Sequence, residues 1–321
     1  MSEYGQIGVL GQSIPRMSGG WAGGELSDVF PVRLRGLVMP ELPEVETMVR
    51  GLRPVLAGRR LCALLVQDPF LLQGCDAGAF TARVLGARVE EVERRGKWVV
   101  IALGEHRGLI VIQPRMTGGF WLVPPERPDH VRLTFHVEGR EEPVWYCDNR
   151  RLGRIAWFPD AEAAGWAFAR SHGPDALAIA AADLAARLAK TARAVKPALM
   201  DQKLVAGIGN IYADEILFTA RIHPQRPARS LSRAESGRIH AAIARVLEAA
   251  IAAEGSSFDA GYRTVLGREG GFLAQNAMYG RGGEPCPACG AAIEKTRIAG
   301  LIGRPTYYCA RCQPARPRRS R

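Results

Sequence analysis

Residues 39–46 read Met39-Pro40-Glu41-Leu42-Pro43-Glu44-Val45-Glu46. An internal methionine stands before a proline, two carboxylates sit three residues apart after it, and an apolar rhythm starts at Val45. From Glu44 to Leu56, the residues Val45, Met48, Val49, Leu52, Val55 and Leu56 recur at helical spacing, acids come early and Arg later, so a helix packed on a core is expected. The commonest meaning of such a start is a loop proline entering a helix. A second meaning is chemical. If translation begins at Met39, removal of the methionine leaves Pro40 as a free secondary amine with a pKa of about 8, a substantial neutral nucleophile near neutral pH. Such an amine attacks an electrophilic sugar carbon, and the resulting iminium ion is an electron sink that promotes elimination of phosphate. Glu41 is then placed to move protons and Glu44 to order the site.

The remaining chain divides by pattern. Residues 1–38 are rich in Gly and Ser without a sustained period, and read as a disordered extension or a mis-assigned start. From Leu61 to about Phe158, short β-prone runs such as 97–103, 109–113, 131–137 and 144–147 point to an antiparallel sandwich or barrel. From about Pro174 to Glu254 the period is helical, with Ala-rich stretches at 181–190 and 234–253. A Gly-rich stretch then leads to a small cysteine-bearing module and a basic end.

The 321 residues carry 43 Lys+Arg against 32 Asp+Glu, a net charge of +11 supplied mostly by Arg. Charges in residues 1–38 cancel, so the excess lies beyond residue 38. That balance favours a polyanion, nucleic acid first, because the planar guanidinium matches phosphate geometry. No run approaches a membrane span and no secretory signal is visible, which places the protein in the cytoplasm.

Four of the seven cysteines are ordered as Cys286-x-x-Cys289, nineteen residues, then Cys309-x-x-Cys312. This spacing suits one tetrahedral zinc holding a hairpin too small for its own core, in preference to a redox pair or disulfides. Cys62, Cys75 and Cys147 read as buried small hydrophobes. Between the knuckles, Arg297 and Arg304 are candidates for a DNA phosphate, Arg304 at a hairpin tip beside Pro305. In Lys203–Phe218, "KLVAGIGNIYADEILF", Gly207 and Gly209 precede Asn210 and a helix start whose free N–H groups suit an anion, with Lys196 and Lys203 nearby. A plain packing joint between helices is the bland reading of that turn.

The segments "MPELPEVETMVRGLRPVLAGRRL", "RRGKW", "MTGGFW", "DNRRLG", "KPALMDQKLVAGIGNIYADEILFTARIHPQR", "YGRGGEPCPACG" and "GRPTYYCARCQ" together resemble the bacterial formamidopyrimidine-DNA glycosylases, 8-oxoguanine glycosylases with abasic-site lyase activity. The resemblance spans about residues 39–316. It implies an α+β multidomain fold: an N-terminal catalytic β-sandwich over 39–172, a helix-two-turns-helix domain with a lesion-capping loop over 173–280, a C-terminal zinc finger over 281–316 and a basic tail at 317–321. It further implies a base-excision-repair enzyme that flips oxidised purines out of double-stranded DNA, forms a Schiff base on Pro40 and cuts the strand by β,δ-elimination, acting as a monomer. Carried over by motif, Pro40 is the nucleophile, Glu41 the acid/base and Lys97 an active-site lysine that also binds phosphate; Glu44 joins the catalytic set from the residue pattern alone, as the group that orders the site. Asn210 and Arg304 grip the phosphates around the flipped nucleotide, and Met116, Arg150 and Leu152 fill the gap it leaves; Lys196 is expected at the DNA from its place beside the Gly207–Asn210 turn, not from the resemblance. Cys286, Cys289, Cys309 and Cys312 hold one structural Zn2+.

Two departures stand out. Leu152 occupies a wedge position that is aromatic in the family, and "QPRM" replaces "HLGM", placing Arg115 beside the wedge. Two other readings stay open. Retention of residues 1–38 would make Pro40 a tertiary amide and the chain a non-catalytic damaged-DNA binder. An endonuclease VIII-like preference for oxidised pyrimidines would keep the chemistry and change the base, through the loop that holds Tyr262 and Arg263.

Overall fold

The computed structural model describes residues 39–257, 262–301 and 303–315; expectations for residues 1–38, for the middle of the capping loop and for the basic tail lie outside them. The first helix, α1, covers Leu42–Leu56, with Pro43 in its first turn, where no intrahelical N–H is lost. Val45, Met48, Val49, Leu52 and Leu56 pack into the core of the β domain, whereas Leu42 belongs to the core of the helical domain. One short helix therefore has its start in one core and its body in another.

The β domain follows in the order β1 (Leu61–Val66), β2 (Leu72–Gln73), α2 (Ala77–Val84), β3 (Val89–Arg95), β4 (Trp98–Leu103), β5 (Gly108–Gln113), β6 (Gly118–Trp121), β7 (Val131–Val137), β8 (Val144–Asp148), β9 (Arg154–Phe158) and α3 (Ala161–Ser171). It is a sandwich, with one sheet ordered β1-β7-β8-β6 and the other β2-β9-β5-β4-β3. All pairings are antiparallel except the short parallel pair β2 with β9. Val99, Ile101, Ile110 and Ile112 face the sandwich interior, while Trp98, Val100 and Val111 are covered by α3. Burial on both faces explains why β4 and β5 read as continuous apolar runs. Cys147 is buried as expected. Cys62 is exposed, at an irregularity in the pairing of β1 with β7 between Leu61 and Ala63, and Cys75, outside the strands, is half-buried.

The helical domain comprises α4 (Ala181–Ala189), α5 (Val195–Leu199), α6 (Asn210–Ala220) and α7 (Arg233–Ala252). Helix α7 opens with a capping box: Ser232 Oγ accepts from Glu235 N at 3.2 Å and the Glu235 carboxylate from Ser232 N at 2.8 Å. The hairpin of β10 (Glu294–Arg297) and β11 (Pro305–Tyr308) adds Tyr307, with Cys309 just beyond it, to the same apolar cluster as Ile211, Ile216 and Leu247. No helix among the described residues is long and apolar enough to cross a membrane.

Arg94 fastens the two large domains together. Its Nε donates to Glu46 at 2.9 Å, its two terminal nitrogens go to Asp175, and Asp175 also accepts from Gly96 N at 3.0 Å. The β3–β4 turn that carries Lys97 is thereby tied to the first residues of the helical domain. Replacing Arg94 by Leu leaves Glu46 with Arg50 alone and Asp175 with only the Gly96 and Leu177 N–H groups, and is expected to cost about 1–3 kcal/mol of unfolding free energy. Urea denaturation measures that loss, and hydrogen exchange should speed up in residues 94–98.

Candidate active site

Three segments converge where the sandwich meets the helical domain: the start of α1, the β3–β4 turn, and the Gly207–Asn210 turn. Leu42 N donates to Gly207 O at 3.0 Å, and a Cβ on Gly207, at φ +110°, would lie 2.5 Å from Leu42 Cδ1. A Cβ on Gly209 would lie 2.3 Å from Glu41 Cδ. The two glycines are thus required by the close approach of Glu41 and Leu42, and the first also by its backbone conformation.

The free N–H groups expected to hold a phosphate are already occupied. Gly209 N donates to Glu41 Oε2 at 2.7 Å, Ile211 N to Glu41 Oε1 at 2.9 Å and Tyr212 N to Glu41 Oε2 at 3.4 Å. The anion at the start of α6 is the carboxylate of Glu41, only 2% exposed, where the helix dipole favours negative charge. Burial raises its pKa, opposed by the charge of Lys97 and by those N–H groups. Pro40, which precedes it, is also buried.

Glu44 lies behind Glu41 and gathers three donors. It accepts from Glu41 N at 2.8 Å, from the Tyr212 hydroxyl at 2.5 Å and from Ser256 N at 2.7 Å. Burial, and then the charge of Glu41, push its pKa up to about 7. Lys97 is buried beside the pair. Burial lowers its pKa to about 8, with Arg304 adding to the fall while Glu41 and Glu44 oppose it. Neither Tyr212 nor Ser256 is legible in the sequence, since contacts across 168 and 212 positions leave no local pattern.

Other expected residues are distributed unevenly. Arg304 is half-buried at the foot of β11, close enough to shift Lys97 electrostatically. Asn210 is buried as the first residue of α6; its Nδ2 reaches the Tyr279 hydroxyl at 3.4 Å and its Oδ1 has no hydrogen-bond partner among the described residues. Arg150 is exposed, Leu152 half-buried and Met116 only 5% exposed, so Met116 is retracted while its companions are accessible. Asp148 joins their two loops, accepting from Thr117 Oγ1 at 2.5 Å, Arg150 N at 3.3 Å and Gly153 N at 2.6 Å. Arg115, placed beside the wedge by sequence, turns inward at φ 55°, 5% exposed, with Nε donating to Gln113 Oε1. Tyr262 is buried against the body, its hydroxyl donating to Glu254 O at 3.1 Å, and Arg263 pairs with Glu269.

Lys196, expected at the DNA, lies instead inside the protein. It is fully buried, with Nζ 2.8 Å from Asp214 Oδ1, 3.0 Å from Pro305 O and 3.1 Å from Thr306 Oγ1. Asp214 in turn accepts from Tyr307 N at 3.0 Å. Burial pulls the ammonium down and pushes the Asp214 carboxyl up to about 7, while each charge opposes the other's shift. Three acceptors at ammonium distance leave no donor for a phosphate. Lys196 instead suspends β11, and with it Arg304, from α5 and α6.

The four terminal sulfurs lie within 4.8 Å of one another, Cys286 to Cys312 at 3.9 Å and Cys289 to Cys309 at 3.5 Å. Tetrahedral zinc with bonds of about 2.3 Å has edges of about 3.8 Å, so the donor set fits one structural zinc.

Three family models match successive parts of the chain. Residues 39–155 match a model described as the formamidopyrimidine-DNA glycosylase N-terminal domain, 172–260 its H2TH domain, and 283–315 a zinc finger found in FPG and IleRS. The chain is 41% identical over 282 residues to a formamidopyrimidine-DNA glycosylase of Thermus thermophilus, covering 87% of this chain and all of that one. It is 40% identical over 294 residues to the Symbiobacterium thermophilum protein of the same name, covering 88% and 94%. Among solved structures, the Thermus thermophilus protein superposes with a TM-score of 0.75 at 40% identity, over 87% of this chain and all of that one. The Lactococcus lactis Fpg bound to abasic-site DNA superposes with a TM-score of 0.76 at 29% identity, over 85% and 99%.

The burial of Lys196 and the sulfur geometry each lead to a measurable outcome. Lys196→Met leaves Asp214 buried and uncompensated, and should cost about 3–5 kcal/mol, largely recovered by adding Asp214→Leu. The slope of log affinity against log salt should stay unchanged in that double variant, where loss of a phosphate contact would reduce it by about 0.9. Zinc measured by atomic emission should be one per chain, and its removal should lower the melting temperature and weaken DNA retention, because the β10–β11 hairpin keeps only the anchor at Lys196 and Asp214.

Proposed function

The chain belongs to the formamidopyrimidine-DNA glycosylase family, and from that membership we propose that it excises oxidised purines from double-stranded DNA through an amine at Pro40. Its substrates are 8-oxoguanine and formamidopyrimidines, and strand cleavage at the abasic site follows. The observation that carries the assignment is Glu41, the neighbour of Pro40, fixed on the start of α6 with Lys97 and Glu44 around it.

The proline nitrogen attacks C1′ of the extruded nucleotide, the glycosidic bond breaks, and its electron pair leaves with the base. The adduct then loses its N–H proton as the C1′–O4′ bond breaks and O4′ takes a proton, so the ring-opened sugar is held as an iminium ion; loss of a C2′ proton expels the 3′ phosphate, and loss of a C4′ proton from the conjugated iminium expels the 5′ phosphate. Glu41, its pKa raised by burial, takes and returns protons for these steps. Glu44 is held by three donors and orders the start of α1. Lys97, Arg304 and Asn210 receive the phosphates on either side of the extruded nucleotide. Arg150 and Leu152, with Met116 once it turns outward, fill the space it vacates. Zinc has a structural part only, holding the β10–β11 hairpin.

The mechanism requires a secondary amine. In the 321-residue chain Met39 is joined to Pro40, and that nitrogen is an amide without a nucleophilic electron pair. The family model begins its match at residue 39, and the Thermus thermophilus relative is covered over its full length within 87% of this chain. Both support a working form that starts at Pro40.

Borohydride trapping on a duplex containing 8-oxoguanine tests this. A chain starting at Pro40 should become covalently attached to the DNA while the full 321-residue chain should bind without attachment. Trapping by both forms, or by neither, would overturn the reading, the second outcome leaving a damage-binding protein. The pH profile gives a further check. An amine of about 8 must be neutral, so kcat/KM should rise up to that pH, and then fall as Lys97, with its pKa of about 8, loses the charge that meets phosphate. Lys97→Gln should flatten the alkaline limb only.

A further inference from the structure

The loop between β8 and β9 carries two consecutive arginines, and the structure gives them different tasks. Arg150 is exposed. Arg151, at φ 55°, turns its guanidinium back onto the protein, with Nε donating to Asp68 Oδ2 at 2.5 Å and Nη2 to Asp68 Oδ1 at 2.9 Å. Asp68 is 8% exposed and caps the short turn Pro69–Leu71, accepting from Phe70 N at 3.2 Å. Its pKa is held down first by Arg151, so the pair is charged throughout the neutral range. Arg132 stands 3.8 Å from the same carboxylate and donates to Asp148 O at 2.9 Å, joining this group to the residue that holds the other side of the loop.

Phe70 is 62% exposed, more than any other large apolar side chain described. Its ring meets the guanidinium of Arg151 at 5.2 Å and that of Arg154 at 5.6 Å. Arg151 and Arg154 bracket the segment that contains Leu152 and Gly153. A Cβ on Gly153 would lie 2.1 Å from the Tyr146 hydroxyl, so that segment is fixed from below as well.

We propose that Asp68, Arg151 and Phe70 form a clasp that positions the β8–β9 loop so that Arg150 and Leu152 enter the duplex in a fixed register. These three are positioning residues, and the inference rests on the assignment of Arg150 and Leu152 to the vacated space. The clasp also accounts for a loop that works with leucine where an aromatic side chain would stack better: a wedge with less stacking surface gains from being held rigid before it meets DNA.

The test uses a duplex with 2-aminopurine beside 8-oxoguanine, whose fluorescence rises as the neighbouring step is unstacked. Asp68→Ala and Phe70→Ala should each slow that rise, the first by about fivefold, the scale of one partly exposed bidentate pair. Asp68→Glu should restore it. Cleavage of a preformed abasic site, which needs no base extruded, should proceed at the wild-type rate in all three. An unchanged fluorescence rate in Asp68→Ala would overturn the clasp, as would an equal fall in unstacking and abasic-site cleavage. The fluorescence step precedes bond breaking, so failure of the Pro40 chemistry and failure of the clasp are read separately.

Discussion

The structure turns on one carboxylate placed on the start of one helix. Glu41 reaches from the first residue ahead of α1, in the β domain, to three N–H groups that open α6, in the helical domain. A buried carboxylate without partners costs several kcal/mol. Three N–H donors, a helix dipole and the nearby ammonium of Lys97 offset that cost, and burial still keeps the pKa above its usual range. The same contact forces glycine at 207 and 209, draws Leu42 into the helical core and fixes the backbone that carries Pro40 at the seam between domains.

The charges around this contact form two groups with different tasks. Glu41, Glu44, Lys97 and Arg304 act on one another electrostatically at the seam between the domains, and burial with their mutual fields brings the pKa values of Glu44 and Lys97 near neutral pH, about 7 and about 8. Groups poised there exchange protons readily near physiological pH. Lys196 and Asp214 are more deeply buried and hold β11 by direct contacts, so they support the site without reaching the substrate. Arg94 does the same for the β3–β4 turn.

Local pattern carried much of this in the sequence. Helical spacing located α1, α4 and α7 to within two residues, and the cysteine spacing identified the metal site, because both depend on residues near one another in the chain. What failed depended on distant partners. Lys196 reads as a DNA contact beside the Gly207–Asn210 turn, yet Asp214 and the strand at 305–306 surround it, and the anion at the start of α6 is a side chain from 170 positions earlier. Arg115 reads as a charge beside the wedge, and the sequence does not show that its left-handed backbone turns the side chain inward. Arg151 gives no signal beside Arg150, since only the fold brings Asp68 and Phe70 to it.

Two amines are available to carry the sugar adduct, the nitrogen of Pro40 once it is free and the buried ammonium of Lys97, whose low pKa also makes it a competent nucleophile near pH 8. Peptide mass mapping of the borohydride-reduced adduct distinguishes them directly. Attachment of the sugar remnant at Pro40, with Lys97 unmodified, is the expected result. A remnant on Lys97 would contradict the account, because Glu41 would then be held beside a residue that takes no part in bond making.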